Sequence, residues 1–132
     1  AFICGVRVKN LDERHCIVKV KHRWINQNPF NSMYFAVQAM AAELATGALV
    51  MYQIQKSGRK ISMLVANNKG NFTKKATGLI TFECKDGHLI EQAITATIAT
   101  GEGQTFWMKS IGTDEHGVQV SEMDFEWSVR VK

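Results

Sequence analysis

The sequence predicts an α+β domain in which a curved, mostly antiparallel sheet of about six strands wraps around one long central helix. One segment, residues 34–55, is rich in Ala, Met and Leu and is typical of a helix. Most of the remaining chain alternates apolar and polar residues between short turn-forming segments, which is typical of strands. Such a helix and such strands bury their apolar surfaces most economically when the sheet curls around the helix.

The composition is that of one globular domain spanning residues 1–132. Apolar residues make up 45% of the chain and charged residues 21%, which excludes an intrinsically disordered protein. The formal net charge of +4 is modest, so it favours anionic ligands only weakly. Because the chain opens on strand-like sequence without a Met or a signal-peptide pattern, we expect a further segment to precede residue 1.

The three cysteines argue against a disulfide framework and against a zinc site. Cys4, Cys16 and Cys84 form an odd, widely spaced set without a CxxC pair, and each lies in apolar, strand-like sequence. We therefore expect inert core thiols, no metal site and a reducing compartment, the cytoplasm. No membrane partner is expected, because the most apolar stretch, residues 34–54, carries Glu43 and several polar residues.

The chain begins with two short strands. Residues 3–9 and 15–22 are β-prone, and the turn-forming residues 10–13 lie between them, so the sequence predicts a hairpin. The next segment, residues 23–33, is rich in Asn and contains the single Pro, so we expect a loop.

The helix that follows is apolar almost all round. Asn31 or Ser32 is a suitable N-cap, and Lys56 followed by Gly58 predicts the end of the helix. Glu43 is its only formal charge over about twenty residues. We expect such a helix to be buried on most sides.

The chain after the helix predicts further strands and turns. Asp86-Gly87 is a strong hairpin signal, and Ile90, Ile94 and Ile98 would then lie on one face of a long strand. The predicted elements are, in order, a strand at 61–72 interrupted by the polar residues 67–70, a strand at 80–85, the long strand at 90–98, a turn at 101–103, a strand at 105–110, a turn at 115–117 and a final strand at 123–131.

Glu43 is the charged residue whose position most needs an explanation. Its helical neighbours, Ala39, Met40, Thr46 and Gly47, are uncharged, so no ion pair is available on its own helix. A carboxylate on an apolar helix is costly unless it finds donors elsewhere or lies at a cleft. Burial would raise the pKa of the carboxyl and suit a general base near neutral pH. The alternatives are a Lys or Arg partner on a strand, or exposure to bulk water.

The start of the helix is a second candidate site. At Tyr34-Phe35-Ala36 a helix N-terminus offers N–H groups and positive dipole character. Such N–H groups can polarise a carbonyl or hold a phosphate. Ordinary capping by Ser32 or Asn31 is the simpler alternative.

A local basic cluster follows the helix. It consists of Lys69, Lys74 and Lys75, with Arg59 and Lys60 upstream. A solvated sheet edge is the commonest meaning of such a cluster. Attraction of an anionic group such as coenzyme A is the alternative.

Several spacings agree with one known family. Asn28 lies six residues before Tyr34, and Glu43 lies nine residues after it. The segment 71–76, Asn-Phe-Thr-Lys-Lys-Ala, combines aromatic, basic and small residues, and Gly78 follows. On these residues the chain resembles the hotdog-fold thioesterases, in particular the small single-domain acyl-CoA thioesterases and their poorly characterised relatives.

The resemblance implies a hotdog fold over nearly the whole chain and hydrolysis of an acyl-CoA or a similar thioester. It implies no separate cofactor, since coenzyme A is part of the substrate, and a homodimer or tetramer without nucleic acid. It assigns catalysis to Glu43, as general base or nucleophile, with Asn28 and Tyr34. The substrate contacts that it implies are Asn31, Phe35, Ala36, Asn71, Thr73, Lys74 and Lys75.

Three other functions remain open. Tyr34-Phe35-Ala36 stands where the family has His-Gly-Gly, and Phe35 would crowd the carbonyl oxygen, which favours a non-catalytic module that binds acyl chains or acyl-CoA. Hydration or dehydration of an enoyl thioester usually needs a His beside an acid and ranks lower. A nucleic-acid-binding domain would need a basic surface patch interleaved with exposed aromatic residues, whereas Phe106, Phe125 and Trp127 are expected in the core.

Overall fold

The computed structural model describes residues 6–21 and 35–132, which form six strands and two helices. The long helix and the antiparallel sheet confirm the predicted α+β class. In chain order the elements are β1 (Val6–Leu11), β2 (Cys16–Lys21), α1 (Phe35–Ser57), β3 (Ile61–Phe72), β4 (Leu79–Cys84), α2 (Gly87–Thr100), β5 (Gln104–Thr113) and β6 (Gln119–Val131).

The strands form one sheet with the order β1-β2-β4-β5-β6-β3, and every neighbouring pair is antiparallel. Among the described residues, β3 pairs only with β6, from Ile61 opposite Val131 to Phe72 opposite Ser121. β3 therefore forms an edge of the sheet. It is continuous where the sequence predicted an interruption, because the polar residues 67–70 pair in register with β6 and are exposed; a single bulge falls between Val65 and Asn67.

The predicted hairpin between β1 and β2 is confirmed. The carboxylate of Asp12 accepts hydrogen bonds from the backbone N–H groups of Arg14, at 2.8 Å, and His15, at 2.9 Å. An Asp side chain that binds the backbone two or three residues ahead closes a tight turn. These bonds hold the pKa of the Asp12 carboxyl below its usual range.

The long helix α1 ends where the sequence predicted. Its last residue is Ser57, and Gly58 adopts a left-handed backbone with a φ of 70°. By length and composition alone α1 could cross a membrane, but half of its most apolar window is buried inside the domain. Ala41, Ala45 and Leu49 have no exposed surface. We therefore assign α1 as the core helix.

The second helix, α2, contradicts the predicted hairpin and long strand. Asp86 precedes the first turn of α2, and Gly87 is its first residue. Ile90, Ile94 and Ile98 lie on one face of the helix, because a spacing of four residues fits one helical face as well as one strand face. The Asp86 carboxylate accepts a hydrogen bond of 2.8 Å from the backbone N–H of Lys109 in β5.

The core lies between the helices and one face of the sheet. The alternation predicted for the last strand is confirmed, since Met123, Phe125, Trp127 and Val129 of β6 are buried. Each large apolar side chain that is fully buried contributes about 1.5–3 kcal/mol relative to exposure. β6 therefore supplies part of the surface on which the helices pack, and for α1 the strands β2, β4 and β5 supply more of it.

Candidate active site

Two apolar grooves meet at Glu43. The aromatic groove has a volume of about 490 Å³ and lies between the start of α1 and strands β3 and β6; its lining is Phe35, Ala36, Ala39, Met40, Glu43, Asn68, Gly70, Phe72, Met123 and Phe125. The methionine groove has a volume of about 270 Å³ and continues along α1; its lining is Met40, Glu43, Leu44, Gly47, Ala48, Met51, Met63 and Trp127. Glu43 and Met40 belong to both grooves, so the carboxylate lies at their junction.

The carboxylate of Glu43 is exposed in the single chain. Exposure to bulk water was one of the alternatives left open by the sequence, and it is observed, whereas burial is not. The exposed side chain nevertheless lies at a cleft, because it lines both grooves. In the part of the chain that the structure describes, no salt bridge involves Glu43. An unpaired carboxylate beside two apolar grooves is available to water and to a ligand.

Trp127 fixes the helical turn that carries Glu43. Its Nε1 donates a hydrogen bond of 2.9 Å to Thr46 Oγ1, and Thr46 Oγ1 donates one of 2.8 Å to the carbonyl oxygen of Glu43. A Cβ atom at Gly47 would lie 3.2 Å from the Trp127 ring, so the glycine allows the ring to pack against α1. Gly47 and Ala48 leave the space that forms the middle of the methionine groove.

Phe35 and Ala36 are the predicted substrate contacts that the structure brings together with Glu43. Both belong to the first turn of α1 and line the aromatic groove. The rings of Phe35 and Phe72 meet edge to face with their centroids 5.4 Å apart. The Phe35 side chain is 57% exposed, so it narrows the entrance to this groove without closing it.

Lys74 contacts a carboxylate in the turn between β5 and β6. Its Nζ lies 2.7 Å from Oδ2 of Asp114, whose side chain is nearly buried. Asp114 also accepts hydrogen bonds from the backbone N–H groups of His116 and Val118. The Lys74 ammonium and these N–H groups lower the pKa of Asp114 to about 2. In this structure Asp114 closes the turn, and Lys74 is tied to the turn by its ion pair with Asp114.

The other predicted contacts on this segment do not line the grooves at Glu43. Asn71 lies opposite Glu122 in the sheet. Because side chains alternate along a strand, the side chain of Asn71 points to the face of the sheet opposite to that of its neighbour Phe72, which lines the aromatic groove. Thr73 Oγ1 donates a hydrogen bond of 3.2 Å to the carbonyl oxygen of Gln119. Lys75 is exposed. Asn28, Asn31 and Tyr34 lie outside the described residues, so their roles stay predictions.

The described thiols are buried, as predicted. Cys16 and Cys84 lie opposite each other on β2 and β4 as free cysteines without exposed surface. Burial raises the pKa of Cys16 to about 11 and that of Cys84 to about 12. Thiols of this kind are poor nucleophiles at neutral pH. Within residues 6–21 and 35–132, no group of His, Cys, Asp or Glu side chains could hold a metal ion.

One family matches almost the whole chain. It is described as a domain of unknown function, DUF4442, and it matches residues 3–129. This protein belongs to the DUF4442 family. No functionally curated protein matches the chain.

Solved structures share the fold of this DUF4442 protein. A protein of unknown function from Pseudomonas aeruginosa, described as a probable thioesterase, is 26% identical with a TM-score of 0.88, and the match covers 99% of this chain and 86% of that one. A protein of unknown function from Chlorobaculum tepidum is 12% identical, with a TM-score of 0.86 and coverages of 99% and 85%. A variant of a thioesterase enzyme from Staphylococcus aureus is 12% identical, with a TM-score of 0.76 and coverages of 98% and 96%. The hotdog fold implied by the resemblance is confirmed.

Sequence reasoning missed most of the groove lining of the DUF4442 domain. Met40, Ala48 and Met51 recur at the spacing of one helical stripe, so the helical part of the lining could have been found. Met63 and Trp127 come from β3 and β6, which are paired in the sheet but far apart along the chain, and no local pattern places them beside that stripe. Glu43 itself was identifiable from its isolation on an apolar helix.

Proposed function

We propose that this protein hydrolyses an acyl thioester of coenzyme A or of a similar carrier, with Glu43 as general base or nucleophile. The observation that supports this most directly is the position of Glu43 at the junction of two apolar grooves. Such a position places a group that can activate water beside a channel that can hold an acyl chain. The similar Pseudomonas aeruginosa protein, described as a probable thioesterase, supports the same reaction class.

In the general-base reaction, the Glu43 carboxylate accepts a proton from water while the water oxygen attacks the thioester carbonyl carbon. The C–S bond then breaks, and the sulfur leaves as a thiol after taking up that proton. In the nucleophilic reaction, a Glu43 oxygen attacks the carbonyl carbon instead, and the C–S bond breaks to release the thiolate. Water then hydrolyses the resulting acyl anhydride, which restores the Glu43 carboxylate and supplies the proton that the thiolate takes up. The N–H groups of Phe35 or Ala36, in the first turn of α1 of one copy, would stabilise the negative charge on the carbonyl oxygen, while Glu43 acts on the carbonyl carbon from the facing copy.

The carrier part of the substrate is proposed to extend from the aromatic groove toward the end of β3. Asn71, Thr73 and Lys75 are the contacts expected from the resemblance on this side. A phosphate group at Lys74 would have to compete with Asp114, whose carboxylate already binds the ammonium. Asn28 and Tyr34 keep their predicted catalytic roles.

We further propose that two copies associate through the β3 edge in the cytoplasm. A 12-residue strand with one edge unpaired among the described residues can pair with another chain. Leu64 on this strand is 60% exposed and Met51 on α1 is 54% exposed. A dimer through this edge would cover apolar side chains that the single chain leaves in water.

A non-catalytic acyl-binding module is the second candidate function. The observation that favours it is the bulk of Phe35 at the first turn of α1, where the thioester carbonyl would approach the backbone. Such a module would use the same grooves. It would bind acyl-CoA in a saturable manner without releasing thiol.

Release of free thiol from a series of acyl-CoAs tests the proposal. Glu43→Gln should lower kcat by about a hundredfold to ten-thousandfold, the usual contribution of a positioned base, while substrate binding persists. Glu91→Gln, at an exposed glutamate on α2, is the matched control and should leave kcat unchanged. Mass spectrometry of the quenched enzyme separates the two mechanisms, because only the nucleophilic one attaches an acyl group to Glu43.

Three results would count against hydrolysis. Equal activity in the wild type and Glu43→Gln would remove Glu43 from the mechanism. Saturable binding without thiol release from any acyl-CoA would establish the binding module. Absence of both binding and release would contradict both functions.

A further inference from the structure

A locally weak turn of α1 follows Glu43. Gly47 is the one glycine of α1, and a glycine inside a helix lowers its stability relative to alanine. Beside it, Thr46 Oγ1 donates its hydrogen bond to the carbonyl oxygen of Glu43 in the same helix, and bonds of this kind tend to bend a helix. The helix alone therefore holds the backbone of Glu43 less firmly than it holds the alanine-rich turns before it.

Trp127 of β6 supplies from the sheet the support that this turn lacks. Its indole N–H donates a hydrogen bond of 2.9 Å to Thr46 Oγ1, and Thr46 is fully buried. The low dielectric around a buried hydrogen bond strengthens it. A Cβ atom at Gly47 would lie 3.2 and 3.3 Å from two atoms of the Trp127 ring, so the glycine that weakens the turn also makes room for the ring that supports it.

The support continues to the strand at the proposed dimer interface. Trp127 lies directly opposite Val65 in β3, the edge strand through which two copies are proposed to associate. In the proposed reaction Glu43 acts on a carbonyl carbon that is held by the facing copy. The position of Glu43 relative to the β3 edge therefore decides whether its carboxylate reaches that carbon.

We infer, on the basis of the proposed function, that Thr46 and Trp127 are positioning residues, which hold Glu43 in line with the reacting carbonyl of the facing copy. Thr46 lines neither groove, so its hydroxyl acts through the backbone of Glu43 and not on the substrate. A misplacement of about 1 Å can lower a rate by about a hundredfold, whereas binding depends on the groove walls. The inference therefore predicts a loss of kcat without a change of KM.

Thr46→Val tests this inference, because it removes the hydroxyl and keeps the shape of the side chain. We expect kcat for thiol release from acyl-CoAs to fall by about tenfold to a hundredfold, with KM within about twofold of the wild type. Thr46→Ser keeps the hydroxyl and should retain most of kcat. A threonine that only filled space would give the opposite order, since Val fills the site better than Ser.

Thr97→Val is the matched control on α2. Thr97 is also fully buried, and its Oγ1 donates a hydrogen bond of 2.7 Å to the carbonyl oxygen of Glu102 and accepts one of 3.0 Å from the backbone N–H of Val131. The substitution thus removes the same two kinds of hydrogen bond in a helix that lines neither groove. Thr97→Val should lower the melting temperature about as much as Thr46→Val and leave kcat unchanged.

Trp127→Phe removes the indole N–H and completes a double-mutant cycle with Thr46→Val. Because the two residues belong to one hydrogen-bonded chain, the double variant should lose about as much kcat as the more damaging single variant. Two residues that acted separately would instead multiply their effects on kcat.

The outcomes separate this inference from the proposed hydrolysis. A fall of kcat in Thr46→Val, with rescue by Ser, an unchanged Thr97→Val and a non-multiplicative double variant, supports the inference. Full kcat in Thr46→Val, an equal fall in Thr97→Val, a rise of KM in place of the fall in kcat, or multiplicative effects would each overturn it, while loss of turnover in Glu43→Gln keeps the hydrolase. Absence of thiol release from the wild type would remove the hydrolysis, and this inference with it.

Discussion

Replacement of Gly87 by Ala should destabilise the protein even though Ala is the better helix former. Gly87 is the first residue of α2, and its N–H donates a hydrogen bond of 3.0 Å to the carbonyl oxygen of Arg14. A Cβ atom there would overlap the carbonyl oxygen of Glu13 and lie 2.5 Å from Cα of Arg14. Both are backbone atoms of the β1–β2 turn, so they cannot swing aside as a side chain could.

The size of the effect follows from three terms. Displacement of packed backbone costs about 1–3 kcal/mol, and loss of the hydrogen bond to Arg14 costs about 0.5–1.5 kcal/mol. Helix propensity offsets up to about 1 kcal/mol of this. We therefore expect Gly87→Ala to lower the free energy of unfolding by about 0.5–4.5 kcal/mol. The middle of this range, about 2.5 kcal/mol, corresponds to a fall in melting temperature of about 10 °C.

Thermal unfolding followed by circular dichroism measures this change. Gly103→Ala is the matched control, because the nearest atom to a Cβ there is 3.9 Å away, and its melting temperature should stay close to that of the wild type. A Gly87→Ala variant that melts at or above the wild-type temperature would refute the close approach of α2 to the β1–β2 turn.

Two further predictions concern titrating groups. The pKa of Asp114 is about 2 in the folded state and near 3.8 in the unfolded state, so its stabilising contribution is complete above pH 4 and is lost as the pH falls toward 2. Asp114→Asn should therefore flatten the pH dependence of urea unfolding between pH 4 and pH 2. An unchanged pH dependence would show that the pair of Asp114 with Lys74 does not cause it. In a Cys4→Ser background, maleimide should modify Cys16 and Cys84 only after denaturation. The reason is that burial keeps both thiols protonated at neutral pH. Rapid labelling of the native protein would show that strands β2 and β4 open.

The fold was predictable wherever local pattern and tertiary packing agree. The period of two in the last strand identified Phe125 and Trp127 as core, and both are buried. The cationic and glycine residues at 56–58 located the end of α1. Each of these signals depends on neighbours within one turn of helix or one strand, so no distant contact was needed.

The failure at α2 has a physical cause. Ile90, Ile94 and Ile98 are four residues apart, which satisfies a strand period of two and a helical period of 3.6 alike. Asp86-Gly87 then favoured a hairpin, but Gly87 is needed for contact with the β1–β2 turn, about seventy residues earlier in the chain. Only tertiary structure distinguishes these two uses of a glycine.

The candidate site was predictable at its charged centre and not at its walls. Glu43 drew attention because its own helix offers it no partner. Its grooves depend on the register of β3 against β6, which places Met63 opposite Val129. A bulge after Val65 shifts that register by one residue, and the sequence gives no signal for where such a bulge falls.

The sheet order has a consequence for biosynthesis. β3 pairs with β6, but β6 begins 47 residues after β3 ends, so at 5–20 residues per second it is synthesised roughly two to ten seconds later. During that interval the apolar helix α1 and the edge of β3 have been made without the strand that carries Trp127. A nascent chain that extends past α1 but stops short of β6 therefore contains Glu43 but neither complete groove, and the apolar stripe of α1 that Trp127 later flanks is exposed to the ribosome surface and to chaperones.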